Sequence, residues 1–251
     1  MGLFDLFSKK SDQVSAPKAK ATSPKELARL ARLVSDKLAQ NYDRQDAITA
    51  LSELRNEDGA RALLRRFDFS MQPGITDQEE KEAALEGIVR AGEAALEPIR
   101  SYCERAESLT WALKALRRIV PPERLVAEHL QLLEQFDTDY TRNPEPKIQL
   151  ITALEEFKED RVRSAVEPFL LDTNESVRFH AVGTVFAMDN ASSVEPLIES
   201  MIEEESLRVK NRTAGGLAQR GWEIPEALRA ALSPVLPSEF SLQNGKIVRG
   251  T

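Results

Sequence analysis

The chain has 251 residues, 41% of them apolar and 30% charged, with a net charge of -7. Residues 1–25 hold five lysines against two aspartates, a net of +3, so the remainder carries -10. That acidic body argues against general nucleic-acid binding, which needs clustered Lys and Arg on phosphates. The lone Cys103 excludes an internal disulfide and fits a reducing compartment.

Taken in chain order, the first element is Met1 to Lys10. Wound as a helix, it places Leu3, Phe4, Leu6 and Phe7 on one face, with Asp5 and Lys9 opposite. So short a segment stays disordered unless it docks its apolar face in a partner's groove, on a membrane interface or back on its own repeats. Position 6 is leucine, so the myristoylation pattern is absent. No apolar run reaches the ~20 residues needed to span a bilayer, and the N-terminus lacks a signal-peptide order of charge and apolar residues. The expected address is cytoplasmic, with residues 1–10 touching a partner or a membrane face. Residues 8–23 mix Lys, Ser, Ala and Asp without apolar periodicity and read as a flexible tether.

Order is expected from Ser23-Pro24-Lys25-Glu26, a capping box with proline at the first helical position. Leu27, Leu30, Leu33, Val34 and Leu38 then form a stripe at helical spacing. Further helices are expected over 45–56 and 59–66. After the irregular stretch 67–75, Thr76-Asp77-Gln78-Glu79 reads as a capping box opening a helix to residue 91. The remaining helices fall at 94–105, 109–119, 122–136, 146–157, 162–171, 176–188, 193–202, 206–220 and 225–232. Glu97-Pro98, Glu167-Pro168 and Glu195-Pro196 each mark a helix start. Phe240 to Val248 alternates around Asn244-Gly245, the pattern of a type I′ hairpin.

One unit recurs. Val177-Arg178 with Ala181 and Val185 aligns with Val209-Lys210, Thr213 and Leu217 at an offset of 32. A period of this size means stacked two-helix units that share a core. Asp172-Thr173-Asn174-Glu175-Ser176-Val177-Arg178 with Ala181, then Val209-Lys210 with Ala214 and Leu217, resemble the HEAT-repeat superfamily, especially the bacterial PBS-lyase HEAT-like repeats. Lys147 matches the same basic position, with Pro146 replacing the usual Val. The likeness is good over 143–232, looser over 43–140, and absent from 1–40 and the tail. It implies an all-α fold, a right-handed alpha-alpha superhelix (a HEAT/armadillo-like solenoid), to which the flexible N-terminal tether and the small C-terminal β-hairpin signalled by Asn244-Gly245 are added from the residues themselves. The divisions are then 1–10, the linker 11–22, the repeat domain 23–232 and the tail 233–251. The resemblance further implies that Asp172, Arg178 and Lys210 tie one repeat to the next, and that no catalytic residue is shared.

Chemistry-bearing motifs are sparse. His129 and His180 stand in no metal-binding spacing, and no His-Glu dipeptide, phosphate loop or nucleophile elbow occurs. Glu203-Glu204-Glu205 reads as a solvated edge, and Gly215-Gly216 as a close approach between helices. Trp222 is expected to pack the C-terminal end. The resulting expectation is a non-enzymatic adaptor with a protein partner and no cofactor or metal. The alternative, drawn from the name-giving relatives, is a lyase-like or chaperone role on a chromophore- or cofactor-bearing protein.

Overall fold

The computed structural model of the chain describes residues 22–250. The face at Leu3, Phe4, Leu6 and Phe7 and nearly all of the tether lie outside the described residues. The described chain is mostly helical: α1 (Pro24–Ser35), α2 (Asn41–Ser52), α3 (Glu57–Leu64), α4 (Gly74–Ala91), α5 (Leu96–Cys103), α6 (Thr110–Ile119), α7 (Pro122–Leu133), α8 (Glu145–Ala153), α9 (Asp160–Val166), α10 (Glu175–Ala187), α11 (Val194–Glu203), α12 (Leu207–Arg220) and α13 (Glu226–Leu232). A hairpin of β1 (Phe240–Gln243) and β2 (Lys246–Arg249) closes it, with Leu242 opposite Ile247. Asn244 and Gly245 have φ of 50° and 75°, the double positive φ that a type I′ turn requires. The hairpin packs on α12, and Ile224 N–H donates to the Gly245 carbonyl.

Helices next-but-one along the chain pack together. α2 meets α4, α4 meets α6, α8 meets α10 and α10 meets α12; α1, α3 and α5 form a second series, joined by α7 with α9 and α11 with α13. A single apolar core runs through them, from Leu30 to Ile247. Each helix alone buries one stripe, so its stability depends on these neighbours.

Local chemistry explains the ends. Ser23 Oγ accepts from Glu26 N–H and Pro24 sits at the first position, but the Glu26 carboxylate turns to Arg29 and leaves the expected box half-formed. α1 stops at Ser35, so Leu38 falls past the helix and is 88% exposed. α4 begins at Gly74, two residues before the expected cap at Thr76. Asp77 is drawn inward instead, accepting from Arg66, Lys81 and Met71 N–H. α9 is shorter than expected because Pro168 has no N–H to continue it, and residues 167–171 tighten into a 3-10 turn. Residues 154–156 do likewise after α8.

Candidate functional site

The ties between helices come first, because they consume most of the buried charge. Asp172 is buried; its Oδ2 lies 2.9 Å from Lys147 Nζ on α8 and its Oδ1 accepts from Asn174 N–H at 2.7 Å. Arg178 on α10 donates to both oxygens of Glu204 at 2.7 Å and to the Asp172 carbonyl at 2.8 Å. Burial would raise the Glu204 carboxyl, but Arg178 and the N–H groups of Ser206 and Glu205 outweigh it and hold it below the usual range. Glu204 is therefore a buried partner, and the reading of 203–205 as a solvated edge is corrected at its middle residue. Lys210 is half-buried, and no hydrogen bond or ion pair of its side chain occurs among the described residues. Thirty-two residues beyond Glu204 stands Leu236, so the acid that Arg178 uses has no counterpart for Lys210.

The same device stands at the N-terminal end, where the sequence reading passed over it. Arg44, in the first turn of α2, donates to the Ala39 carbonyl at 2.6 Å and to both oxygens of Glu80. Lys147 in α8 likewise reaches the Asp139 carbonyl at 2.8 Å. Arg44, Lys147 and Arg178 thus each hold the loop before their helix and an acid on a later segment. A signal for them was present: a base in the first helical turn opposes the macrodipole, which favours acids there. Such a base needs another employment.

A different face is left open. Between α6 and α8 runs a groove of about 330 Å³, walled by Leu113, Ile148 and Ala153 and edged by Lys114, Arg117 and Thr152. His129 lines it from α7. Its ring is buried, its Nδ1 lies 2.9 Å from the Leu125 carbonyl, and burial pulls its pKa below the ordinary histidine value. The α6–α8 junction is otherwise polar, with Leu109 N–H on Gln149 Oε1 and Arg117 paired with Glu156. Trp111 stacks on Phe67 at 5.5 Å, with Lys114 Nζ 4.2 Å above it.

Thr152 carries the face onward, its Oγ1 3.4 Å from His180 Nδ1 on α10. Beside His180, Phe179 receives two guanidiniums from α12, Arg208 and Arg212, each 4.1 Å from the ring centroid. Arg208 is neutralised by Glu175 at 2.9 Å. Arg212 lies against Gly183, where an added Cβ would fall 2.0 Å from its Nη2. Burial lowers the pKa of both Arg212 and His180, and for His180 the Arg212 charge acts the same way.

Elsewhere the ionisable groups are structural. The Cys103 thiol is buried and pushed up to about 12, first by burial and then by the Glu104 charge. Burial likewise raises the Asp68 carboxyl. Trp222 packs against Phe186 at 6.0 Å under Arg220. Among the described residues, no three of His, Cys, Asp and Glu come together to hold a metal, and no helix is long and apolar enough to cross a membrane. Comparison with family models and with curated proteins finds no match to this chain.

Proposed function

We propose that the chain is a non-enzymatic scaffold of the HEAT-like kind its sequence resembles, holding a protein partner on the face formed by α6, α8, α10 and α12. The observation that carries this reading is periodic linkage. Glu86–Arg118, Glu93–Arg124, Glu175–Arg208 and Asp189–Arg220 are ion pairs whose partners lie 31 to 33 residues apart. Each joins positions about one sequence period apart, which supports a reading as stacked two-helix units. Exposed pairs of this kind contribute little stability, ~0–1 kcal/mol each, so their value lies in setting register. Units so joined leave one long side open, and such surfaces serve macromolecular partners. The N-terminal Leu3, Phe4, Leu6 and Phe7 supply a second docking point, on a partner or a membrane face, in a cytoplasmic protein.

Affinity capture with the full chain tests the reading. Thr152→Arg, an exposed substitution at the groove mouth, is expected to abolish capture of the partner, whereas Thr49→Arg on α2 leaves it intact. Equal capture by both variants overturns the assignment of the face.

A further inference from the structure

We infer that the Arg212–Phe179 cluster is the anchor for an acidic segment of a peptide whose apolar residues lie in the α6–α8 groove. The inference rests on the scaffold reading above and names the chemistry of the partner. Five arginines among the described residues, Arg32, Arg55, Arg65, Arg142 and Arg212, have side chains with neither a hydrogen bond nor an ion pair. Four of these are exposed, and water satisfies them. Arg212 alone of the five is half-buried.

A guanidinium partly removed from water without a carboxylate is a cost that the fold sustains here. The surroundings hold it in place. It lies on the face of Phe179 at 4.1 Å and against the bare Cα of Gly183. A planar guanidinium stacked on a ring loses little further freedom when it binds a carboxylate through two parallel N–H donors. Glu155, whose charge acts on Arg212, forms no ion pair with it; its Oε1 accepts from Thr184 Oγ1 at 3.4 Å. The position of a counter-ion is therefore open.

Peptide is favoured over free anion by continuity. Thr152 both lines the groove and touches His180, which adjoins Phe179, so apolar wall and cationic anchor form one track across α6, α8, α10 and α12. A free phosphate has no use for Leu113 and Ile148. The protein as a whole is acidic, so an acidic ligand is not drawn in by net charge. It must find this local site, which confers selectivity.

Fluorescence anisotropy on the full chain tests the assignment, using a fluorescein-labelled peptide of leucines and phenylalanines followed by glutamates. The same peptide with lysines replacing the glutamates is the control. Arg212→Gln is expected to weaken binding about tenfold, the loss of one charge-assisted bidentate contact. Gly183→Ala keeps the charge but displaces the guanidinium, and is expected to weaken binding about threefold. Arg55→Gln leaves it unchanged. Thermal melts establish that each variant is folded. Binding unaltered in Arg212→Gln, equal binding of the lysine peptide, or displacement by inorganic phosphate at constant ionic strength overturns the inference. Loss of partner capture in Thr152→Arg but not in Arg212→Gln overturns the anchor while leaving the scaffold reading standing. The glutamate peptide lost in Arg212→Gln while Thr152→Arg captures normally has the opposite meaning: the anchor holds and the scaffold face falls.

Discussion

The Glu80 carboxylate lies 2.7 Å from Arg66 Nε, and neither side chain has any solvent exposure. Arg44 approaches the same carboxylate at 2.8 Å from the other helix, so one acid serves two buried guanidiniums. Asp77 accepts from Arg66 Nη2 and from Lys81, and Arg66 Nη1 donates to the Phe69 carbonyl. Removing Glu80 leaves Arg44 buried with no carboxylate and Arg66 with Asp77 alone, and Glu80→Gln is expected to destabilise the protein by ~3–5 kcal/mol. Urea unfolding followed by circular dichroism measures this. A loss under ~1 kcal/mol would falsify the view that this cluster fixes α2 against α4.

The neighbouring glycines of α12 should respond in opposite directions. At Gly216 an added Cβ falls 2.2 Å from the Phe186 ring, which is wedged by Trp222 and Arg220. At Gly215 the nearest atom is Phe240 Cζ at 3.8 Å, ordinary contact. Gly216→Ala is therefore expected to cost ~1–3 kcal/mol through overpacking. Gly215→Ala should stabilise by up to ~1 kcal/mol, because alanine is the better helix former. Thermal melts of the two variants decide it, and melting temperatures shifted the same way count against the packing assigned to Gly216.

These two glycines also show where sequence reading works and where it stops. Local signals carried through: the Asn244-Gly245 turn, the start of α1 at Pro24, and the limits of α10 and α12 to within a residue or so. Those features depend on side chains a few positions apart. Glu80 and Arg44 are 36 residues apart and Arg178 and Glu204 are 26 apart, so no local pattern links them. Glu204 was hidden inside a run of three glutamates, of which the turn buries only the middle one. Arg212 was equally illegible. Its interest lies in the missing Cβ of Gly183 and the ring of Phe179, both on another helix.

Cys103 should behave as an inert thiol. It is buried on α5 with its pKa pushed up to about 12, first by burial, so the nucleophilic thiolate is nearly absent near neutral pH. Labelling by an aromatic disulfide reagent is expected to be negligible in the native protein and complete in denaturant. Stoichiometric labelling within minutes under native conditions would contradict the packing of Tyr102 and Cys103 into the core.

Stability should decline as pH falls from 7 to 5, and His129 should account for much of the decline. Burial, first, holds the His129 pKa below its reference of 6.5, with the Arg117 charge acting in the same direction and the Leu125 carbonyl opposing. The folded state therefore keeps the ring neutral, while the unfolded chain takes up a proton as pH drops past about 6.5. Stability from this group is fully present above that value and is lost on acidification toward the lower folded pKa. His180, also depressed, adds a slope of the same sign. Asp77 and Glu204, held low by their basic partners, act only in more acid solution. Asp68, raised by burial, works in the opposite sense. One proton sets a ceiling of about 1.4 kcal/mol per pH unit on the slope from His129. His129→Asn, whose amide nitrogen stands where Nδ1 does and so retains a donor for the Leu125 carbonyl, is expected to flatten the dependence measured by urea unfolding across this window. An unchanged slope in that variant would place the proton uptake elsewhere and remove His129 from the account of acid sensitivity.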